Sequence, residues 1–509
     1  MYKALTINDF LERAFAAYPD RIAIVDEELQ PAKSWGELTY AELARKARAQ
    51  AATLDKMGVP RGARVAIVSQ NSARLICTFF GVSGWGRVLV PVNFRLSPAE
   101  VRHIVSHSGA EVLLLDPEFR RLAELVPCQR TFVLGDHDEQ VWGSTADPVP
   151  WAEEEEATAV ISYTSGTTGL PKGVQSSHRH LWLNATVFGW HTSVSDRDVY
   201  LHTVQAFHGS SWGHIYAATA MGAKHIVLRK LDGAETLRRI QAHEVTYLCA
   251  APAVVSAALD AAKTWDGPIP GSGRLRIICG GAPPPTRTIQ RVRDELGWEF
   301  IQIYGLTETG PTLTLNRMRA EWDGLDSLEQ ARLLGSAGVP FLGAQLRVSA
   351  EGEVQARSSR TLDSYWNDPE ATANAHDGEW FRTGDGGVIS DGYLTITDRI
   401  KDVIVSGGEN VASVEVENVL ASHPAVRDVA VIGIPDEKWG ELVTALVVLE
   451  TGEQLTDVEL IDHCRQRLAG YKCPKRIEFR DELPRNATGK LQKYLLRKPY
   501  WGSHSRQVN

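Results

Sequence analysis

Short apolar runs that favour β-structure alternate with amphipathic helical patterns along most of the chain. Arg64–Val68 and Val88–Val92 are typical of buried strands, and a helical pattern over 39–57 begins with the capping sequence Thr39-x-x-Glu42. Strands that are separated by helices pair in parallel, because each helix carries the chain back across the sheet. The alternation therefore predicts an α/β fold of parallel sheets covered by helices.

The length and charge of the chain exclude several classes of protein. The 509 residues predict about three structural lobes at roughly 150 residues each. Lys plus Arg number 54 and Asp plus Glu number 63, so the net charge of −9 argues against nucleic acid as the main partner. A hydrophobic fraction of 43% and a charged fraction of 23% are typical of a globular enzyme, not of a disordered chain.

The cysteines and the apolar runs bear on the cellular compartment. Six cysteines are spread along the chain without a Cys-x-x-Cys pair: Cys77, Cys128, Cys249, Cys279, Cys464 and Cys473. This spacing favours reduced thiols in a cytoplasmic protein over disulfides or a zinc site. Residues 1–10 show no basic segment followed by an apolar one, so we expect no secretory signal. No uncharged apolar run reaches the roughly 18 residues that span a bilayer, so we expect no integral membrane association.

A loop rich in glycine and hydroxyl side chains follows a predicted strand at 160–163. Residues 161–173 read ISYTSGTTGLPKG, which supplies backbone N–H groups, hydroxyls and the Lys172 ammonium as donors to an anion. A Walker A loop is excluded because Pro171 stands where its second glycine would be. The pattern favours a polyphosphate cradle over the alternative of a flexible turn with hydroxyl caps.

Three further motifs follow this loop in order. Residues 304–308 read YGLTE after an apolar strand, residues 383–385 read TGD before a hairpin pattern, and residues 484–490 read PRNATGK. Together with the glycine-rich loop, this set resembles the adenylate-forming superfamily, most closely its acyl-CoA and aryl-CoA ligase branch. The resemblance covers nearly the whole chain, and the four motifs in this order are highly specific.

The resemblance implies a large N-terminal domain of parallel-sheet and helix layers with a small β-barrel-like subdomain, followed by a small mobile α+β C-terminal domain. The composition changes after Thr383, where short hairpin-like pieces follow and Asp391-Gly392 gives a strong turn signal. We therefore predict an adenylation domain at 1–398, a hinge at 399–402 and a mobile domain at 403–509.

The resemblance also assigns the nucleotide to particular residues. The phosphates of ATP would be bound by Thr164, Ser165, Gly166, Thr167, Thr168, Gly169 and Lys172. The adenine would stack on Tyr304, with Gly281, Ala282 and Pro283 on its other side and Gln302 near its edge. Gly305 and Thr307 would be further contacts of the nucleotide. Glu308 and Thr167 would hold Mg²⁺, a hard cation that prefers oxygen ligands. The alternatives are a solvated loop carboxylate for Glu308 and a core position for Tyr304.

The ribose would be bound by a carboxylate and a guanidinium. Asp385 resembles the carboxylate that accepts both ribose hydroxyls, and Arg399 would reach the same ribose. The pair offers both acceptors and donors, which suits a diol. The alternatives are a turn-capping Asp385, an interdomain salt bridge, or an exposed hinge arginine.

Two half-reactions would use opposite ends of the C-terminal domain. Lys490 would stabilise the attack of the carboxylate on the α-phosphate, because an ammonium between two anions offsets their repulsion. After a rotation at Lys401, the segment Ser406, Gly407 and Gly408 would form the tunnel for the pantetheine arm of CoA. Trp439 resembles a tunnel-lining tryptophan, and its alternative is a core position.

The acid would bind beside residues 205–213, which read QAFHGSSWG. The predicted acyl contacts are Phe207, His208, Trp212, Gly280, Gly281, Tyr304 and Gly305. No carboxylate lies within residues 203–219, and a buried ammonium without a counter-charge is costly, so we expect an acid without an α-amino group. His208 either gates the carboxylate, with a catalytic role, or packs.

The size of the acid is less constrained. Small residues at 215–222 either leave room for a medium to bulky apolar acid or serve only close helix packing, and Trp212 would fill part of any such volume. No arginine near 205–213 in sequence offers a partner for a second carboxylate, which weighs against malonate-like acids.

The predicted activity is an ATP-dependent carboxylic acid:CoA ligase that forms acyl-AMP and pyrophosphate, then acyl-CoA and AMP. Its substrates and cofactors would be an acid, ATP, Mg²⁺ and coenzyme A, and we expect a cytoplasmic monomer or homodimer. An acyl-AMP ligase that loads a carrier protein shares the first step, as does a luciferase-like oxidation. A phosphotransferase that releases ADP and a non-catalytic nucleotide-binding regulator are the alternatives from other classes.

Overall fold

The computed structural model describes residues 3–164, 171–208, 212–281, 284–436, 438–485 and 491–501. Strands and helices alternate along these residues and form four sheets. The α/β class predicted from the sequence is confirmed, including a small C-terminal unit that mixes both element types.

The strands are distributed along the whole described chain. Those of the first 316 residues are β1 (Ile22–Val25), β2 (Glu37–Thr39), β3 (Arg64–Val68), β4 (Val88–Val92), β5 (Ala110–Leu115), β6 (Arg130–Val133), β7 (Thr158–Thr164), β8 (Lys172–Ser177), β9 (Val199–His202), β10 (Lys224–Val227), β11 (Tyr247–Ala250), β12 (Arg276–Cys279), β13 (Glu299–Tyr304) and β14 (Thr314–Asn316). The later ones are β15 (Val339–Pro340), β16 (Ala344–Val348), β17 (Glu353–Ser358), β18 (His376–Asp377), β19 (Trp380–Ser390), β20 (Tyr393–Arg399), β21 (Ile404–Ser406), β22 (Glu409–Val411), β23 (Val426–Asp436), β24 (Gly440–Leu449) and β25 (Arg476–Phe479).

The helices follow the same order. They are α1 (Asn8–Ala17), α2 (Tyr40–Lys56), α3 (Ala73–Ser83), α4 (Pro98–Ser108), α5 (Leu122–Leu125), α6 (Asp138–Trp142), α7 (His178–Thr192), α8 (Trp212–Met221), α9 (Gly233–His243), α10 (Pro252–Ala262), α11 (Thr286–Leu296), α12 (Ser327–Leu334), α13 (Pro369–Asn374), α14 (Ser413–Ala421), α15 (Asp457–Arg465) and α16 (Lys493–Trp501).

Two large sheets form the N-terminal part. The first has the order β6-β5-β3-β4-β7-β8 and is parallel except for β8. The second has the order β15-β14-β13-β12-β11-β9-β10-β1-β2, with parallel pairing from β13 to β1 and antiparallel strands at both ends. Parallel strands present all their carboxyl ends at one edge, which is where α/β sheets bind ligands.

Two smaller sheets complete the fold. The order β16-β17-β19-β18, with β20 paired to β19, is antiparallel throughout. The turn between β19 and β20 has positive φ at Asp391 (51°) and Gly392 (81°), which confirms the predicted hairpin turn. The fourth sheet, β22-β21-β24-β23 with β25 paired to β24, lies entirely within the C-terminal region.

The structure confirms one local prediction, a helix cap, and contradicts part of another, an exposed acidic run. The Thr39 side chain accepts the Glu42 N–H at 3.2 Å, and the Glu42 carboxylate accepts the Thr39 N–H at 2.8 Å, so the predicted capping box is confirmed. A run of acidic residues such as 153–156 predicts an exposed linker, and this prediction is wrong at Glu155, which is buried. This carboxylate is buried because it accepts the Leu5 N–H at 2.8 Å and pairs with Arg179 at 2.7 Å.

All six cysteines are described and none is in a disulfide. Burial raises the pKa of the Cys77 and Cys279 thiols to about 12. Within the described ranges, no helix has both the length and the apolar character needed to span a membrane.

A buried ion pair joins the two large sheets at their carboxyl ends. Arg229 follows β10 of one sheet, and Asp116 follows β5 of the other. The Arg229 guanidinium donates to both Asp116 carboxylate oxygens at 2.8 Å and to Glu118 at 2.8 Å. Both members of the Arg229–Asp116 pair are buried, so each depends on the other for its counter-charge.

Arg229→Met is expected to destabilise this junction by about 3–5 kcal/mol, because it leaves Asp116 as a buried charge without its cation. The measurement is the urea midpoint of the wild type and the variant, followed by near-ultraviolet circular dichroism. Arg120→Met is the matched control, since Arg120 is 60% exposed and pairs with Asp136 at the surface. Equal midpoints for Arg229→Met and Arg120→Met would refute the role of the buried pair.

Candidate active site

A β-hairpin supports the glycine-rich loop. The first residue of β8, Lys172, pairs with the last residue of β7, Thr164, and both side chains are half-buried. The loop residues Ser165, Gly166, Thr167, Thr168 and Gly169 lie outside the described residues, so their phosphate contacts stay predictions. The register of β7 and β8 nevertheless places both ends of the loop at the carboxyl edge of the first large sheet.

Tyr365 connects Lys172 to Glu308, and sequence reasoning missed it. The Lys172 ammonium lies 5.4 Å from the centre of the Tyr365 ring and 3.6 Å from the Asp368 carboxylate. The Tyr365 hydroxyl donates to Glu308 Oε1 at 3.1 Å. The run SYWNDP at 364–369, with two aromatic residues before a Pro-capped helix, was the available signal.

Glu308 lies in a short 3-10 turn, Thr307–Thr309, directly after the YG pair. Its backbone carbonyl accepts the Leu362 N–H at 2.6 Å, which fixes the turn against the segment that carries Tyr365. Burial raises the pKa of the Glu308 carboxyl above its usual range, and the hydrogen bond from Tyr365 partly opposes this shift. A solvated loop carboxylate would not show such a shift.

The residues fit a magnesium ion that is shared with phosphates. No group of three or more potential metal ligands exists among the residues that the structure describes. Mg²⁺ is commonly held by one or two carboxylates together with substrate phosphates, and Glu308 offers one desolvated carboxylate beside the base of the phosphate loop. The second predicted ligand, Thr167, lies outside the described residues.

Three predicted nucleoside residues are in contact. The Tyr304 hydroxyl donates to Asp385 Oδ2 at 2.8 Å, and the Arg399 Nε lies 2.6 Å from Asp385 Oδ1. Asp385 and Arg399 are direct partners on β19 and β20, so this ion pair lies within one sheet. The buried Asp385 carboxylate thus joins the end of β13 to the antiparallel sheet.

The adenine segment is only partly described. Cys279 and Gln302 are cross-strand neighbours on β12 and β13, and the buried Gln302 Oε1 has no partner among the described residues. Gly281 follows β12 with φ +91°, and a Cβ there would meet no atom within 4 Å. Ala282 and Pro283 lie outside the described residues. Gly281 therefore has open space where a side chain would project.

The predicted acyl segment borders the same strand ends. Phe207 is buried and packs edge-on against Phe94, with ring centroids 5.5 Å apart. His208 is half-buried and its N–H donates to the Gln205 carbonyl at 3.0 Å, which does not decide between gating and packing. Residues 209–211 and the Trp212 side chain are not described.

Glycines near this segment permit close approaches. A Cβ on Gly305 would lie 2.0 Å from the Pro311 carbonyl oxygen, and one on Gly280 would lie 2.9 Å from Ile303 Cγ1. A Cβ on Gly189 of α7 would lie 3.4 Å from the Ala217 Cβ of α8. The small residues of α8 therefore serve close packing of two helices, which was one of the two interpretations left open.

The C-terminal segment brings Gly407 and Trp439 together. The Gly407 N–H donates to the Trp439 carbonyl at 2.7 Å, and a Cβ on Gly407 would lie 2.9 Å from the indole ring. Gly408 has φ +84° and open space around it, whereas Ser406 is buried beside Gly440. Trp439 itself is half-buried, which argues against a plain core position.

The predicted hinge and the predicted catalytic loop are only partly described. Lys401 lies in a 3-10 turn, Ile400–Asp402, and its side chain is not described. Lys490 falls outside the described residues. Just before the predicted hinge, Asp398 accepts the Ser413 N–H at 2.8 Å, and at its end Asp402 pairs with Arg497 at 2.5 Å.

Comparison with protein families agrees with this arrangement of motifs. The family described as AMP-binding enzyme matches residues 11–359, which is more than half of the chain. The chain belongs to this family. Its companion, the AMP-binding enzyme C-terminal domain, matches residues 415–490.

Individual relatives extend over nearly the full length. 4-Hydroxybutyrate–CoA ligase 2 of Metallosphaera sedula is 37% identical, with 97% of this chain and 94% of the relative covered. 2-Methylpropanoate–CoA ligase CCL4 of Humulus lupulus is 33% identical with the same coverage. The Bacillus subtilis o-succinylbenzoate CoA synthetase bound to its acyl-adenylate has a TM-score of 0.82 at 30% identity, covering 96% of this chain and 97% of its own.

These comparisons confirm the predicted adenylate-forming family, the fold class and an AMP-forming acid–CoA ligase that uses ATP, Mg²⁺ and CoA. The Bacillus subtilis synthetase has also been solved with ATP and a magnesium ion. The roles of individual residues in this chain stay predictions, and the geometry above is the basis for proposing them.

Glu308→Gln is expected to lower pyrophosphate release by about a hundredfold while stabilising the protein without nucleotide. The folded protein keeps a proton on Glu308 between the usual pKa of 4.5 and its raised value, whereas the unfolded chain releases it. Stability contributed by this site therefore falls as the pH rises through that window. The glutamine variant lacks this loss.

Thermal unfolding without nucleotide should thus occur at higher temperature for Glu308→Gln than for wild type at about pH 7.5, with the difference shrinking as the pH falls toward the usual glutamate pKa. Glu379→Gln is the control, since Glu379 is 78% exposed and pairs with Arg357 at the surface. A Glu308→Gln variant that is less stable than wild type at neutral pH would contradict the prediction.

Proposed function

We propose that this chain activates a carboxylic acid without an α-amino group as its acyl-AMP and then transfers the acyl group to CoA. The observation that carries the proposal is the convergence of two assemblies at neighbouring strand ends. Lys172, Tyr365 and Glu308 lie at the phosphate loop, and Tyr304, Asp385 and Arg399 lie at the end of β13 and in the antiparallel sheet.

In the adenylation step, the acid attacks the α-phosphate of ATP and pyrophosphate leaves. Lys172 and the loop 165–170 bind the leaving phosphates, while Asp385 and Arg399 hold the ribose. Glu308 and Thr167 would hold Mg²⁺, which would neutralise negative charge on the phosphates. The Tyr304 hydroxyl donates a hydrogen bond to Asp385 in the free protein. Its ring is therefore already held, before ATP binds, at the place proposed for the adenine.

Lys490 is proposed to stabilise the attacking carboxylate and the α-phosphate in this step. It belongs to a mobile domain at 403–509 that follows an adenylation domain at 1–398 and a hinge at 399–402. The Asp398 hydrogen bond to Ser413 crosses the proposed hinge. A surface ion pair between Lys263 and Glu450, 3.7 Å apart, also connects the two proposed domains.

The thioester step is proposed to follow a rotation about Lys401. Gly407 and Gly408 then line a narrow passage with Trp439, because the indole already packs against Gly407 and Gly408 has free space. The Lys438 and Lys475 ammonium groups lie 5.1 Å and 5.8 Å from the Trp439 ring. Two cations at this point suit the entry of CoA, whose nucleotide is anionic.

For the acid, the absence of a carboxylate at 203–219 supports a substrate without an α-amino group. The relatives named above act on 4-hydroxybutyrate and 2-methylpropanoate, so we propose a short to medium carboxylic acid as the starting point for assays. A screen of pyrophosphate and AMP release over straight-chain, branched and aromatic acids, with and without CoA, tests the proposal. Release of ADP, or transfer to a carrier protein but not to CoA, would overturn it.

We further propose a cytoplasmic location and a monomer or homodimer. The six unpaired cysteines support a reducing compartment. Fractionation of the producing cells and light scattering after gel filtration test the two statements separately.

Lys490→Ala is expected to reduce acyl-AMP formation by about a hundredfold, because the transition state loses a positioned positive charge. Formation of the thioester from supplied acyl-AMP and CoA should be largely preserved, since the lysine has moved away in that step. Each half-reaction is measured alone, by pyrophosphate exchange and by thioester absorbance. Equal losses in both would contradict the two-conformation scheme, and Lys498→Ala on α16 is the control.

Lys401→Pro is expected to impair the thiol step more than adenylation. Proline fixes φ at its own position and disfavours helical backbone at Ile400, so the hinge can no longer change conformation. Lys401→Ala removes the side chain but keeps the torsional freedom, and it should behave like wild type in both steps. If pyrophosphate exchange fell as far as thioester formation in Lys401→Pro, the hinge assignment would be wrong.

A further inference from the structure

Arg360 is a fully buried guanidinium without a carboxylate partner in the described part of the chain. The residue is 1% exposed, and its Nη1 donates to the Leu342 carbonyl at 2.5 Å. Its Nε and Nη2 atoms have no hydrogen-bond partner among the described residues. Burial lowers the pKa of Arg360 to about 10, so the group is still charged at neutral pH. A buried charge in this state requires an anion or strong acceptors to be stable.

His180 lies close to Arg360, on the other side of Gly310. It is 1% exposed, and neither ring nitrogen makes a hydrogen bond of good geometry with a described residue. Burial and the nearby Arg360 charge lower the pKa of His180 to about 4, so the imidazole is neutral and can donate or accept one proton. Gly310 separates the two residues, since a Cβ there would lie 2.6 Å from His180 Nε2 and 3.2 Å from Arg360 Cβ.

One face of α7 continues this polar cluster toward the predicted acyl pocket. His180 and Asn184 are one helical turn apart, and Asn184 Oδ1 accepts the Thr312 hydroxyl at 2.6 Å. A Cβ on Gly213, the last residue of the acyl segment 205–213, would lie 3.1 Å from Asn184 Nδ2. The cluster therefore touches that segment directly.

The opposite wall of the predicted pocket borders the cluster as well. Gly310 and Thr312, which contact His180 and Asn184, flank Pro311. The Pro311 carbonyl in turn lies against Gly305, which the sequence assigned to the acyl group. The backbone of residues 310–312 thus lies between the strand end at 304–305 and the buried polar cluster.

We propose that Arg360, His180 and Asn184 form a subsite that binds an oxygen atom at the far end of the acid, either a second carboxylate or a hydroxyl. The inference rests on the proposed ligase function and names its substrate class more closely. Two guanidinium N–H donors and an imidazole in a buried site bind an acceptor oxygen of the substrate far better than they bind a methyl group. It replaces the expectation of an apolar acid. No sequence pattern pointed to Arg360, because this residue is about 150 positions from the acyl segment.

The wild-type enzyme provides the first test, which does not depend on any variant. Two matched sets of acids are compared by kcat/KM for pyrophosphate release: butanoate, 4-hydroxybutanoate and succinate, and hexanoate, 6-hydroxyhexanoate and adipate. We expect an oxygenated acid to exceed its unsubstituted match by about tenfold or more in at least one set. Preference for the unsubstituted acid in both sets would overturn the inference.

Arg360→Met provides the second test. The substitution keeps much of the side-chain volume and removes the donors, so the preference for the oxygenated acid should fall to about one, mainly through KM. Arg347→Met is the matched control, since the Arg347 side chain is 41% exposed and pairs with Asp377, and both residues lie in the antiparallel sheet. Arg360→Lys keeps the charge but not the fork of donors, and it should recover part of the preference.

A free inorganic anion is the other source of the same chemistry. Thermal unfolding of the wild type and of Arg360→Met is compared in chloride and in gluconate at equal ionic strength. A chloride-dependent stabilisation that disappears in Arg360→Met, together with an unchanged acid preference, would assign a structural anion and overturn the substrate subsite. Loss of stability without any change in preference would do the same. Absence of pyrophosphate release with every acid would instead refute the proposed function, and this inference with it.

Discussion

The geometry of the site depends on the buried pair between Arg229 and Asp116. This pair fastens together the carboxyl ends of two sheets that share no strand. The predicted phosphate loop follows β7 of one sheet, and the predicted acyl and adenine segments follow β9, β12 and β13 of the other. A shift between the sheets would therefore move these proposed binding segments relative to one another. Glu118 adds a second carboxylate to the same guanidinium and so limits rotation about it.

Three positively charged side chains lie in the proposed binding site for the anionic substrates. The net charge is −9, yet Lys172, Arg399 and Arg360 lie at three different parts of the proposed site. The first two have carboxylate neighbours that hold them in place before a substrate arrives. Arg360 has none among the described residues, which makes it the most electrostatically demanding of the three. Differences of this kind separate residues that prepare a site from residues that depend on a ligand.

Sequence reasoning was sufficient where a local rule determines structure. The alternation of strands and helices, the Thr39 capping box and the Asp391-Gly392 turn each follow from interactions within a few residues, and each is observed. The ordered motifs assigned both Tyr304 and Asp385 to the nucleoside, and the structure brings the two side chains into contact. Tyr365 and Arg360 were missed, since their partners come from distant segments and no periodicity marks them. Glu155 was misjudged because a run of like charges conceals which member turns inward.

The state of the cysteines has a chemical consequence for an enzyme of this kind. An acyl-adenylate reacts with any accessible thiolate, and CoA is a thiol. Burial raises the pKa of every cysteine in the chain, and five of the six are enclosed in hydrophobic clusters while Cys128 is half-buried. All six cysteine thiols are therefore poor acceptors for an acyl-adenylate, which leaves CoA without competition from the protein's own thiols.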